Sequence, residues 1–176
     1  MLLLDRDGAR SDEWTRSADA AAAQGGRTLV DFAALPEALA TTPAGQPLGV
    51  FIPNTVTASE LAPHLDRLAL IVIAFPSFSD GRGYSIARAL RREGFSRTLR
   101  ASGPLIPDQF AYALACGFDE IELPDTSASR QSVAQWLGAK THLPSTYQRG
   151  YRRDGNILEA RRQARAAAAP AGNRPA

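Results

Sequence analysis

At the centre of the chain stands Ala69-Leu70-Ile71-Val72-Ile73-Ala74-Phe75, a continuous apolar run rich in β-branched residues. Continuous apolarity, rather than alternation, is typical of a strand whose two faces are both covered, as in a parallel sheet. The run has the length of a strand and is too short to cross a membrane. Pro76 ends it, because proline cannot donate to a sheet ladder. This stretch therefore predicts a central, parallel strand.

The same rhythm extends on both sides of this strand. A helix with a capping box at Thr57 to Glu60 precedes the run, and a helix from Tyr84 to Glu93 follows it. Further strands are predicted at three places, which are Leu48–Ile52, Thr98–Ser102 and Glu120–Leu123. Four strand–helix units at this spacing favour an α/β fold with a mainly parallel sheet. The pattern leaves an open and a half-barrel-like arrangement as alternatives.

The remaining sequence divides the chain into three parts. Residues 1–47 lack the rhythm and are interpreted as an irregular, flexible N-terminal arm, with a short strand or extended stretch at Thr28–Phe32 and a helical turn from Pro36 to Ala40. Residues 48–140 hold the α/β domain. Residues 141–176 are predicted to be a basic tail rich in arginine and alanine, with a disordered end.

Composition limits the possible function classes. The net charge of the chain is +2. From Arg149 onward there are seven arginines and only two acidic residues, Asp154 and Glu159, so the high pI is due to the tail. The single cysteine, Cys116, cannot form a disulfide framework or a cysteine-ligated metal centre within one chain. The two histidines lack metal spacing. We expect no metal, no cofactor and no membrane span, a cytoplasmic location, and no nucleic-acid partner.

The loop Asp80-Gly81-Arg82-Gly83-Tyr84-Ser85 is the best candidate for chemistry, because it joins the central strand to a helix. Ligands of parallel α/β folds bind at the carboxyl ends of strands. The glycines let backbone N–H groups approach an anion at the helix N-terminus, and the arginine adds a bidentate contact. Tyr84 and Ser85 offer hydroxyls, and Asp80 is a candidate acid or base. The competing interpretation is a plain turn whose glycines and aspartate serve only the chain path.

Three further polar residues are expected near the same rim. Asp108 is a second catalytic candidate, although a carboxylate at a helix start is also explained by the helix dipole. Ser102 and Arg100 are candidate anion ligands. A buried arginine needs a partner, so Arg100 has a structural alternative in an ion pair with Asp80, Asp108 or Glu122.

The segment Leu70 to Leu123 resembles a bacterial family known as a domain of unknown function, whose genes commonly stand beside those for assimilatory sulfite reductase. The resemblance is carried by the stretches Ala74–Arg88, Leu99–Gly103, Asp108–Phe110 and Cys116–Asp119. It implies an accessory protein or an oxidoreductase of sulfite reduction, with the reductase or its electron donor as partner. The alternative from the residues themselves is a small α/β enzyme that binds an oxyanion or phosphate through residues 80–85.

Overall fold

The computed structural model describes residues 1–17 and 26–140 of the 176-residue chain, so the predicted tail at 141–176 lies outside the described residues. Eight strands and six helices follow one another in this part. The strands are β1 Leu2–Asp5, β2 Ala9–Arg10, β3 Trp14–Ser17, β4 Arg27–Asp31, β5 Leu48–Ile52, β6 Leu68–Ala74, β7 Thr98–Ser102 and β8 Glu120–Leu123. The helices are α1 Leu35–Thr41, α2 Ala58–Leu61, α3 Arg82–Arg92, α4 Phe110–Cys116, α5 Asp125–Ala128 and α6 Val133–Ala139.

All eight strands belong to one sheet, in the order β2-β1-β8-β7-β6-β5-β4-β3. The six strands from β3 to β8 are parallel to their neighbours, while β1 runs antiparallel to β8 and β2 antiparallel to β1. The mainly parallel α/β sheet is therefore confirmed. β6 lies between β5 and β7 near the middle, as its continuous apolar sequence predicts.

The connection between β2 and β3 makes the sheet curl. These two strands are the opposite edges of the sheet, yet only residues 11–13 join them. Seven strand spacings across a flat sheet would separate the edges by roughly 34 Å. The step from Arg10 to Trp14 covers at most about 14 Å. The sheet therefore bends towards a half-barrel, which was one of the two arrangements left open by the sequence.

The curl gives the sheet an outer and an inner face. The main apolar core lies on the outer face, where helix residues such as Ala87, Leu90 and Phe110 pack against strand residues such as Ile71 and Ile73. The inner face carries a smaller apolar group on one side, formed by Leu29, Leu70 and Val72 with Trp14 and Phe51. Its other side, on β7 and β8, is charged, and this asymmetry decides where the candidate sites lie.

The local predictions from residue 48 onward hold well. Strands at Leu48–Ile52, Thr98–Ser102 and Glu120–Leu123 have the predicted bounds. The capping box at Thr57 is present, with the Thr57 backbone N–H donating to Glu60 Oε2 over 2.8 Å. Gly117 ends α4 in the left-handed conformation, with φ of 106°.

The prediction of an irregular N-terminal arm is wrong for residues 1–17, whereas the strand and the helical turn expected after residue 27 are present as β4 and α1. Residues 1–17 and 26–47 contain four strands and one helix, and β1 and β4 pair directly with strands of the predicted domain. β2 and β3, of two and four residues, are mostly exposed, so no apolar run marks them in the sequence. Their place is fixed instead by pairing, β2 with β1 and β3 with β4.

Candidate functional site

The loop between β6 and α3 is organised around the Asp80 carboxylate. Asp80 Oδ2 accepts from Asn54 Nδ2 over 2.8 Å, and from Arg82 Nη2 over 2.7 Å. Arg82 also donates its Nε and its backbone N–H to Asp80 Oδ1, each over 3.1 Å. The carboxylate therefore holds the start of α3 to residue Asn54 after β5.

These contacts shape the acid–base properties of the loop. The hydrogen bonds from Arg82, and that from Asn54, hold the pKa of Asp80 well below its usual range, and the same pair raises the pKa of Arg82. A carboxyl with a depressed pKa carries no proton near neutral pH and is a weak base. The position suits Asp80 to organising the turn. Its proposed catalytic role stays a prediction.

The two glycines of the loop differ in what surrounds them. A Cβ on Gly83 would lie 2.4 Å from Cζ of the Phe75 ring, whereas a Cβ on Gly81 would meet nothing nearer than 3.8 Å. Gly83 is thus required by the close packing of the α3 start on the end of β6. This packing requirement explains Gly83 without a ligand.

The hydroxyls of the loop point to different environments. Tyr84 is 7% exposed, and its ring packs against Phe75 and Tyr112 with centroids 5.0 and 4.9 Å away. Burial raises the pKa of Tyr84 to about 12. Its hydroxyl has no hydrogen-bond partner among the described residues, and Ser85 beside it is exposed. Only Arg82 and Ser85 are therefore open to a ligand in solvent.

The other predicted site residues do not converge on this loop. Asp108 is exposed, on a 3-10 turn before α4. Ser102 donates to Glu122 Oε1 over 3.1 Å, with both residues on the inner face. Arg100, two residues before Ser102, shares that face, and the proposed rim of 80–85, 100, 102 and 108 is thus divided between two places.

Arg100 lies at the centre of a buried charge network. Its side chain is 1% exposed and donates from Nε to Glu120 over 2.8 Å and from Nη1 to Glu122 over 3.0 Å. Nη1 and Nη2 also donate to the two oxygens of Asp12, over 2.8 and 2.9 Å. Of the three partners predicted for Arg100, Glu122 contacts it, whereas Asp80 and Asp108 do not. Four donor contacts to carboxylates leave Arg100 engaged in structure rather than presented to solvent.

The charge network also connects strands that are far apart in the order of the sheet. Arg16 on the edge strand β3 donates to Glu122 Oε1 on β8 over 2.5 Å, although five strand spacings separate these strands along the sheet. The Arg16 guanidinium lies 4.8 Å from the centre of the Phe51 ring on the way across. Burial by itself would lower the pKa of Arg100, but the hydrogen bonds to Asp12 and the two glutamates raise it above its ordinary value.

Sequence reasoning missed Asp12, Arg16 and Glu120. The available signal was the alternation of Arg100 with Ser102 and of Glu120 with Glu122, which puts each pair on one face of a strand. Asp12 and Arg16 gave no comparable signal, because their partners are 88 and 106 residues away. A polar cleft of about 90 Å³ adjoins the network, lined among others by Asp12, Thr98 and Arg100.

Other kinds of site are not formed by the described residues. In residues 1–17 and 26–140, no three side chains of His, Cys, Asp or Glu stand together as a metal site. Within the same ranges, no helix is both long and apolar enough to span a membrane. Cys116 is 2% exposed, and burial raises the pKa of its thiol, as expected of a packed, unreactive cysteine.

The comparison with known families identifies the group to which these features belong. The profile of a family of bacterial proteins of unknown function, DUF934, matches residues 49–157, which is more than half of the chain. The chain belongs to this family. None of the curated proteins matches it. The DUF934 match spans β5 to β8 and the Asp80–Ser85 loop, and thus supports the resemblance read from the residues.

The packing of the loop gives a first prediction for this DUF934 protein. Gly83→Ala should lower the free energy of unfolding by about 1–3 kcal/mol, because the new methyl group overlaps the Phe75 ring. Gly81→Ala is the matched control, two residues away in open space, and should cost less than about 1 kcal/mol. Urea denaturation measures both. Equal effects of the two substitutions would contradict the packing explanation.

A second prediction concerns pH. Hydrogen bonds from Arg100 lower the pKa of Asp12 despite its partial burial. A depressed folded pKa stabilises the protein above the unfolded value, about 3.9, and this stabilisation disappears as the pH falls towards the folded pKa. Wild type should therefore exceed Asp12→Asn in stability near neutral pH, and the difference should shrink below about pH 4. Denaturation curves across that range measure it, and a difference independent of pH would disprove the assignment.

Proposed function

We propose that this protein is a cytoplasmic accessory protein of assimilatory sulfite reduction, which docks on the reductase or its electron donor. The proposal joins the gene neighbourhood implied by the family resemblance to one observation on the surface. That observation is a pair of exposed aromatic side chains, Phe78 and Tyr112, beside exposed arginines of α3. The set Phe78, Arg82, Arg88 and Tyr112 is called the aromatic–arginine face below.

The two aromatic residues are unusually open. Phe78 is 55% exposed and Tyr112 is 43% exposed. They belong to adjoining segments, since Gln109, three residues before Tyr112, donates its Nε2 to the backbone oxygen of Phe78 over 2.6 Å. Exposed rings of this kind are enriched at protein interfaces, where they supply most of the binding energy.

The arginines complete a surface suited to a protein partner. The Arg88 guanidinium lies 5.9 Å from the centre of the Tyr112 ring, and Arg82 is 60% exposed at the start of the same helix. Helix α3 contains four arginines and no acidic residue. A partner facing α3 is expected to present carboxylates.

The alternative function is oxyanion or phosphate binding by residues 80–85. It has a weaker geometric basis, because Asp80 already takes the Nε and Nη2 donors of Arg82. An anion would meet only the rest of the guanidinium and the exposed Ser85. Calorimetric titration with sulfite, sulfate and phosphate distinguishes it: binding that is abolished by Arg82→Ala would favour this alternative over docking.

Co-purification tests the docking function. A tagged chain expressed from its own promoter should retain sulfite reductase subunits or their electron donor. The double variant Phe78→Ala and Tyr112→Ala should weaken retention at least about tenfold, as expected for truncated interface anchors. Both side chains are exposed, so the variant should fold normally.

A charge-reversal pair separates the face from general electrostatics. Arg88→Glu should reduce retention, whereas Arg130→Glu, an exposed arginine after α5, should leave it unchanged. Absence of these subunits under native expression, or undiminished retention by the aromatic double variant, would refute the proposal.

A further inference from the structure

On the buried guanidinium of Arg100, the carboxylate of Asp12 occupies the position that a bound ligand would take. The guanidinium has two kinds of partner. Glu120 and Glu122 stand on the neighbouring strand β8 and are 7% and 4% exposed. Asp12 instead approaches from outside the ladder and takes Nη1 and Nη2 with its two oxygens, over 2.8 and 2.9 Å. This paired geometry is the one by which arginine binds free carboxylates and other oxyanions.

The Asp12 side chain is more exposed than those of the two glutamates, at 19% against 9% for Glu120 and 5% for Glu122. Asp12 belongs to the three-residue connection between β2 and β3, and Ser11, Asp12 and Glu13 are all exposed residues. β2 before it has only two residues, both exposed. Apart from Arg100, the Asp12 side chain accepts one hydrogen bond, from the backbone N–H of Trp14 over 3.1 Å. A side chain on an exposed connection can change rotamer without moving the strands of the sheet.

The cleft beside Asp12 and Arg100 can hold a ligand that binds the Arg100 donors which Asp12 would release. Its volume is about 90 Å³, and its lining includes Arg10, Arg27 and Thr98 together with Arg100 and Glu120. With Asp12 turned away, the lining would carry three arginines against Glu13 and Glu120. Removing the Asp12 charge would make the cleft more positive than in the closed state, which favours the entry of an anion. Its size restricts the ligand to a small molecule.

We propose that this cleft is a binding site for a small oxyanion of the carboxylate type, and that Asp12 closes the site by imitating the ligand. In the closed state Asp12 satisfies the outer edge of Arg100. In the open state the Asp12 side chain turns away from Arg100, and two ligand oxygens replace those of Asp12. Arg10 and Arg27, now paired with Asp5 and Glu13 over 3.2 Å each, stand at the entrance.

This site is separate from the aromatic–arginine face. It involves the inner face of the sheet at the start of β7 and β8, whereas Phe78 and Tyr112 lie beside α3 and α4 on the outer side. A failure of the docking proposal therefore leaves the oxyanion site untouched, and the reverse also holds.

Thermal unfolding of the full chain with formate tests the site, with chloride at equal ionic strength as the reference salt. In Asp12→Ala, formate should raise the unfolding midpoint by several degrees and in a saturable way, because it fills the vacated edge of Arg100. Wild type should need at least about tenfold more formate, since Asp12 competes. Asp119→Ala is the matched control: it removes a carboxylate from Arg91, neither residue lines the cleft, and the variant should show no formate-specific rise.

A fluorescence titration of wild type provides an independent readout. Trp14 lines the cleft, so formate should change tryptophan emission saturably, and Trp14→Phe should abolish that change. The proposal is overturned if formate and chloride act alike on Asp12→Ala, or if Asp119→Ala gains the same effect. Should Asp12→Ala fail to fold in both salts, the wild-type titration decides, and unaltered emission overturns the proposal.

Discussion

The buried guanidinium of Arg100 is the interaction on which the inner half of the structure depends. Removing a charged group from water is costly, and the cost is offset only when good geometry satisfies its donors. Four donor contacts to Asp12, Glu120 and Glu122 meet this condition. Two partners belong to the adjacent strand and one to the connection between the sheet edges. The same group therefore orders β7 and β8 and holds the connection that makes the sheet curl.

The curl and the charge network are mutually dependent. The short passage from β2 to β3 brings the sheet edges together, and this brings Arg16 within reach of Glu122. Without the curl, these two residues would lie five strand spacings apart. Without the network, the charged half of the inner face would hold unpaired carboxylates in a poorly solvated place. Most polar side chains of the inner face thus take part in structural hydrogen bonds and ion pairs. The cleft at Asp12 is the part of this face that is left open.

The outer side presents a different kind of surface. Asp80 fixes the start of α3, and Gly83 lets that helix approach Phe75 closely. This arrangement leaves Arg82 and Arg88 facing solvent, with Phe78 and Tyr112 nearby. Features that the sequence suggested for ligand binding are therefore accounted for by packing, and their consequence is a surface with the composition of a protein interface.

How far sequence predicts this molecule depends on the range of the interactions. The strands at 48–52, 98–102 and 120–123 and the capping box at Thr57 are local patterns, and these were predicted correctly. β1 to β3 are short, and two of them are exposed, so no apolar pattern of their own marks their pairing, which is β1 with β8, β2 with β1 and β3 with β4. Arg100 could be expected to need a partner, and Glu122 was among the candidates. Asp12 could not be found, because only the closed curl brings it to Arg100.

The most direct measurement of this account is the free energy of unfolding of Arg100→Leu, determined by urea denaturation beside Arg97→Leu. Arg97 is an exposed arginine just before β7 and serves as the matched control. Arg100→Leu removes the guanidinium that Asp12, Glu120 and Glu122 share, and should lower the free energy of unfolding by about 3–5 kcal/mol. Arg97→Leu should change stability by less than about 0.5 kcal/mol. A loss at Arg100 no larger than that at Arg97 would contradict the claim that this guanidinium holds the inner face together.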